Sequence, residues 1–219
     1  MQLNREQRTE RCADGRETRM PKLKLIYFDI KGRAEPLRLI LAAAQRDFED
    51  VRVKWEDWPD FKTKTPLGQL PILEVDGRQL CQSLAIGRYL ARCCDLAGKG
   101  KFEGARCDMY VDTISEVMGH ASKVFLEKND EEREQLIDEF TKTKLNKFLD
   151  RFEKFLKRNG TGFLVGKQLT WADIYLFTLI SELVKGTPKD LLANHKLVSE
   201  HLERVAEQDG IKAYLGIQL

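Results

Sequence analysis

A phenol and a guanidinium stand six residues apart in the stretch "LIYFDIKGRAEPLRLILAAA", as Tyr27 and Arg33. A tyrosine hydroxyl donates a hydrogen bond and arginine is a fixed cation, so the pair suits a negatively charged partner. An ordinary strand aromatic explains Tyr27 equally well. Three shorter patterns further along also offer polar chemistry. Trp58 and Lys62 present an indole N–H and an ammonium four residues apart, either as a carboxylate clamp or as a partly buried Trp and an exposed Lys. Leu70-Pro71 opens a strand after the loop "TPLGQ". A proline there lacks a ladder donor, and a cis bond would turn the N–H and C=O of Leu70 toward an extended peptide. Gln82 and Ser83 open a helix, where free N–H groups and the dipole attract anions. Ser83 fits a plain N-cap as well as a carboxylate receptor.

These residues need elements to position them. "KLKLIYF" is a near-alternating strand, and "GRAEPLRLILAAA" a helix with Glu35 and Pro36 in its first turn. "FEDVRV" alternates again, whereas "WEDWPDFK" is too irregular for a long helix. "LPILEVDGRQL" reads as two strands joined by the two-residue turn Asp76-Gly77. "QSLAIGRYLARCC" returns to helix. The order predicts a mixed α/β domain over 20–94, with a parallel first pair and a terminal hairpin.

After a Gly/Lys-rich linker, 95–102, strand signals end and 103–219 reads as all-helical. Helices are predicted over 103–127 and 130–158. In the second, Leu136, Ile137, Phe140, Leu145, Phe148, Leu149, Phe152 and Phe155 make one apolar stripe. "LTWADIYLFTLI" opens a buried helix, with Thr170 as N-cap and Asp173 as the acid of a capping box. Further helices are predicted at about 188–206 and 210–216. Residues 1–19 carry five arginines and four acids without apolar periodicity. They read as a disordered extension without a signal core, with Met20 as an alternative start.

The chain has 219 residues and 42% apolar composition, enough for a sizeable core. Its 37 basic and 35 acidic residues leave a net charge of +2, which argues against a nucleic-acid partner. No apolar run approaches the roughly 18 residues that span a bilayer. Five cysteines without a C-x-x-C pair, and only three histidines, predict reduced thiols, a cytoplasmic protein and no metal site. Cys81, next to Gln82, reads as a small buried hydrophobe or a redox thiol.

"YFDIKGRAEPLRLIL", "DWPDFK", "GQLPILEVDG", "QSLAIGRYLA" and "LTWADIYLF" occur in this order. Over about residues 20–215 they resemble a cytosolic glutathione S-transferase of the sigma class, including its nematode relatives and the glutathione-requiring prostaglandin D synthases. The resemblance implies a thioredoxin-like N-terminal domain, an all-α C-terminal domain, glutathione as co-substrate and a homodimer. It makes Tyr27 the catalytic hydroxyl that donates to the glutathione sulfur, with Arg33 beside that sulfur. A hydrogen bond to the thiolate lowers the thiol pKa from about 8.5 toward neutrality.

The same resemblance gives Trp58 and Lys62 the glycine carboxylate. Gly68, Gln69, Leu70 and a cis Pro71 take the cysteinyl backbone, and Gln82 and Ser83 the γ-glutamyl carboxylate. Glu116 of a dimer partner, where relatives often carry Asp, would reach the γ-glutamyl amine. A hydrophobic pocket for the electrophile would be lined by Phe28, Ile30, Gly32 and Met118. Departures exist: Gln69 stands where some relatives have Lys, and Ser115 replaces one acid of a divalent-ion site that Asp112 and Glu116 partly match. His120 and Lys123 make one pocket wall polar, which disfavours prostaglandin isomerisation. The expected function is conjugation of glutathione to apolar electrophiles. The alternatives are a glutathione-dependent prostaglandin isomerase, or a carrier of haem or another apolar ligand.

Overall fold

The computed structural model describes residues 9–11, 17–186 and 191–217. Thr9–Arg11 (β1) and Glu17–Arg19 (β2) pair as a two-stranded antiparallel ribbon. The extension read as disordered thus contains a short paired element, though such a ribbon is marginal by itself in water. The rest of 1–16 lies outside the described residues.

By its contacts the chain forms two units, Met1–Lys31 with Asp47–Gln82, and Gly32–Arg46 with Ser83–Leu219. The first holds a four-stranded sheet of β3 (Leu23–Phe28), β4 (Glu49–Val53), β5 (Ile72–Val75) and β6 (Arg78–Cys81), in the order β4-β3-β5-β6. β3 and β4 run parallel; β5 is antiparallel to β3 and β6. Leu25, Ile26, Val53, Ile72 and Leu73 supply its buried apolar residues. The two-residue turn between β5 and β6 has Asp76 at φ 48° and Gly77 at φ 80°. Both central residues are left-handed, the hairpin turn whose twist matches the strands. The outer strand β4 is charged: Arg52 pairs with Asp50 and Asp29, and Glu49 with Lys24 of β3. The short α2 (Trp58–Lys62) follows β4.

With α1 (Glu35–Ala43) and α3 (Ser83–Cys93) between and after these strands, the chain order is that of a thioredoxin-like domain, followed by helices alone. Within the second unit, α1 carries a buried Arg38 on Glu35 at 3.3 Å, and the Tyr214 hydroxyl donates to the same carboxylate at 3.2 Å. Tyr214 belongs to α9 (Asp209–Ile217), so the buried charge is matched across two helices.

The helices α4 (Gly100–Leu126), α5 (Asp130–Phe140) and α6 (Asn146–Asn159) follow. Asn129 caps α5 by accepting from the amides of Glu131 and Glu132. A π-helical turn, Thr141–Leu145, joins α5 to α6 within what the apolar stripe predicts as one helix. Phe140, Leu145, Phe148, Leu149 and Phe152 of that stripe are buried, and Phe155 half-buried. α7 (Trp171–Gly186) is the predicted buried helix, with Trp171 through Ile180 all buried.

The Asp173 carboxylate accepts from the Thr170 amide at 2.8 Å, as a capping box requires. The Thr170 hydroxyl does not cap the Asp173 amide; it donates to the Asp173 carboxylate at 2.6 Å. The other carboxylate oxygen takes the Leu164 amide at 2.7 Å. Burial pushes this carboxyl above its ordinary range, opposed by His201 and by these hydrogen bonds. α8 (Lys196–Ala206) starts later than predicted. Its Leu197 and Val198 amides donate to Glu153 of α6 at 2.9 and 3.0 Å, so a distant carboxylate caps it.

Candidate active site

In the first unit, β3 ends on two adjacent aromatics, Tyr27 and Phe28. Tyr27 is buried, 7% exposed. Phe28, predicted to line a pocket, is the centre of an aromatic group. Its ring lies 5.6 Å from that of Tyr27, edge-on at 5.1 Å to Trp58, and stacked at 4.0 Å and 14° on Trp55. Such contacts contribute about 0.5–1.5 kcal/mol each beyond area burial.

Trp55 is absent from the predicted site, yet it is 58% exposed and covers one face of Phe28. The signal for it lies in the register: β3 and β4 pair Phe28 with Val53, and Trp55 comes two residues later. Ile30 is exposed, and its amide donates to the Phe28 carbonyl at 2.8 Å, closing the strand end into a turn.

Lys62 ends α2, four residues from Trp58 and so on the same helix face. Its Cε lies 3.5 Å from where a Cβ on Gly68 would sit, so the lysine stem packs over that glycine. Gly68 itself has φ 63°, the left-handed region that favours glycine. Next to it, Gln69 Oε1 accepts from Gln82 Nε2 at 3.5 Å. The Leu70-Pro71 peptide bond is cis. Leu70 packs partly buried against Ile26, Val53 and Ile72, together with Val51, Phe61 and Cys81. Burial raises the Cys81 thiol, in keeping with the small-hydrophobe reading.

Gln82 has φ 73° although it carries a side chain. A left-handed residue with a Cβ costs about 1–2 kcal/mol, a strain that persists only where its surroundings enforce it. Within this unit, then, Lys62, Gly68, Gln69 and Gln82 are neighbours, as are Tyr27, Phe28 and Trp58.

The remaining predicted residues belong to the second unit. Gly32 and Arg33 are exposed in a 3₁₀ turn, Gly32–Ala34, directly before α1. Ser83 is the first residue of α3 and half-buried, and its carbonyl accepts from the Tyr175 hydroxyl at 3.4 Å. On α4, Glu116 and His120 are exposed and Met118 half-buried; the Lys123 side chain lies outside the described residues. Asp112 pairs with Arg88 at 3.6 Å. Among the described residues no group of three or more His, Cys, Asp or Glu side chains could hold a metal ion.

Taken unit by unit, donors and cations stand at loop backbones and at a helix start, the kinds of group that bind carboxylates. Residues 23–92 match the N-terminal domain family of glutathione S-transferases, and 115–217 the C-terminal domain family. Glutathione S-transferase 1 of Ascaris suum is 41% identical over 201 residues, 90% of this chain and 96% of that protein. The hematopoietic prostaglandin D synthase of Homo sapiens is 39% identical over 176 residues, 80% of this chain and 86% of that protein. The crystal structure of the glutathione S-transferase from Ascaris lumbricoides superposes with a TM-score of 0.85 at 40% identity, covering 91% of this chain and 98% of that one. With two domain families in register and relatives matched along nearly their whole length, the chain belongs to the glutathione S-transferase family and uses glutathione as co-substrate.

Proposed function

We propose that this glutathione S-transferase is of the sigma class, cytoplasmic and homodimeric, and that Tyr27 activates the thiol. On this reading, domain 20–94 binds the tripeptide and domain 103–219 the electrophile. The glycine carboxylate meets Trp58 and Lys62. The cysteinyl backbone pairs with Leu70 before the cis Pro71, beside Gly68 and Gln69. The γ-glutamyl carboxylate meets Gln82 and Ser83, and Glu116 of a dimer partner meets the amine.

The Tyr27 hydroxyl donates to sulfur and the Arg33 cation adds to the same field, so the thiolate is favoured over the thiol. Each unit of pKa lowering corresponds to about 1.4 kcal/mol of thiolate stabilisation. The thiolate attacks an electrophilic carbon in a pocket of Phe28, Ile30, Gly32 and Met118; a C–S bond forms and the leaving group departs. Rate then comes from thiolate fraction and proximity, with no protein nucleophile.

The observation that carries this reading is Gln82. A left-handed glutamine beside Gln69, directly before α3, supports a role in ligand contact, since such strain tends to persist where function requires it.

The test is an ultraviolet titration of bound glutathione. The thiolate forms at lower pH on the wild type than on Tyr27→Phe; identical midpoints would remove the role of Tyr27. A second reading, prostaglandin isomerisation, is favoured by the similarity to the human prostaglandin D synthase. It needs the same Tyr27, and turnover of a prostaglandin endoperoxide to the D isomer with glutathione present tests it. Haem or another apolar ligand would occupy the same pocket, and haemin that fails to inhibit conjugation would exclude that role.

A further inference from the structure

Tyr175 sits in the second turn of α7 and is 2% exposed. Its hydroxyl donates to the carbonyl of Ser83, 92 residues earlier in the chain. That carbonyl is the first of α3, and by helix geometry it is also the acceptor for the Gly87 amide. The phenol reaches it because residue 87 has no side chain. A Cβ there would lie 2.7 Å from the Tyr175 hydroxyl oxygen, 3.2 Å from a Trp171 ring carbon and 3.4 Å from a Leu37 methyl.

Neither residue is the simplest choice for packing alone. Glycine inside a helix is unfavourable relative to alanine, and a buried hydroxyl is unfavourable unless it finds a partner. The Ser83 carbonyl accounts for both: the missing Cβ admits the hydroxyl, and the carbonyl satisfies it. Burial pushes the Tyr175 phenol well above its usual range, while Arg88 and Arg33 pull the other way, so both charges lie within electrostatic reach of it.

The next residue fixes the same helix from a second side. Arg88 lies over the Trp171 ring, 5.6 Å from its centroid, and pairs with Asp108 of α4 at 3.0 Å. α3 is therefore seated on α7 at its first turn and tied to α4 at its second.

We infer that Tyr175 is a positioning residue for glutathione: its hydroxyl, admitted by Gly87, fixes the first turn of α3 so that the Ser83 side chain and the free amides beside it meet the γ-glutamyl carboxylate. This rests on the reading of Ser83 as a carboxylate receptor. The hydroxyl touches no substrate atom; it acts through the backbone it holds.

The experiment compares glutathione with the analogue whose first residue is 4-aminobutanoyl, which lacks only that carboxylate. Tyr175→Phe keeps the ring and removes the hydroxyl. The expected result is a KM for glutathione raised about threefold to tenfold with kcat unchanged, and no rise in KM for the analogue. Gly87→Ala raises the glutathione KM further, and adding Tyr175→Phe to it brings the value back toward that of Tyr175→Phe alone, because the clashing oxygen is gone. If Gly87→Ala does not fold, Tyr175→Phe with the two tripeptides decides the question.

An unchanged KM in Tyr175→Phe, or an equal rise for both tripeptides, overturns the proposal, since general loosening would not distinguish them. Ser83→Ala separates the two levels. If Ser83→Ala also fails to discriminate between the tripeptides, the carboxylate reading itself is wrong and the proposal falls with it. If Ser83→Ala discriminates and Tyr175→Phe does not, the proposal alone falls.

Discussion

Thr170 gives the Asp173 carboxylate two hydrogen bonds, from its amide at 2.8 Å and from its hydroxyl at 2.6 Å. With the Leu164 amide on the other oxygen, one buried side chain holds both the start of α7 and the loop before it. Asp173→Ala would leave two buried amides and a hydroxyl without their acceptor. The expected destabilisation is about 3 kcal/mol or more, read from urea unfolding. Asp173→Asn keeps an acceptor and costs less. Equal losses in the two variants would show that packing, not acceptance, is what Asp173 supplies.

Gly68 separates backbone strain from steric contact. Its φ of 63° disfavours a side chain, whereas the space around it offers only ordinary contact with Lys62 at 3.5 Å. Gly68→Ala is expected to lower stability by about 1 kcal/mol, and Gly68→Asn by less, because asparagine visits the left-handed region more readily. Thermal melts of the pair check this. A loss as large with asparagine as with alanine would point to sterics instead.

At Gln82 stability and binding are expected to move in opposite directions. Gln82→Gly relieves a φ of 73° and should raise the melting temperature. It also removes the side chain proposed to meet the γ-glutamyl carboxylate, so the KM for glutathione should rise. A variant that is stabilised with an unchanged KM would dissociate the strain from ligand binding.

Thiol reactivity should follow burial. Burial pushes Cys94 up to about 11 and Cys107 up to about 12, and a raised thiol pKa leaves less thiolate at any pH below it. Cys93 is exposed. A disulfide reagent at pH 8 is therefore expected to label exposed Cys93 first, half-buried Cys94 more slowly, and buried Cys107 only on denaturation. Fast labelling of Cys107 in the folded protein would contradict its burial.

Much of this was legible from local pattern. Asp76-Gly77 announces its hairpin because both residues tolerate positive φ, and the periodicity of Phe148, Leu149 and Phe152 marks the buried face of α6 because packing follows the helical repeat. What escaped depends on groups far apart in sequence. The start of α8 is set by Glu153, 44 and 45 residues before the amides it receives, so no local cap betrays it. The Trp55 stack on Phe28 exists only once β3 and β4 pair in parallel register. The capping box was visible as a spacing, but not the direction of the Thr170 hydroxyl, which the neighbouring Asp173 carboxylate decides. The seat of Ser83 on Tyr175 spans 92 residues and shows in neither helix alone.

The charges on β4 have a consequence for how far the sheet can grow. As one of the two outer strands it presents backbone groups that another strand could pair with, and such edges invite self-association. Its side chains are already committed: Arg52 to Asp50 and Asp29, Glu49 to Lys24. An incoming strand would have to strip water from this ionic row while gaining only a few backbone bonds, and buried charge is costlier than such bonds repay. Ion pairs of little worth to stability, about 0–1 kcal/mol each at an exposed site, thus act as a border on the β4 side of the sheet.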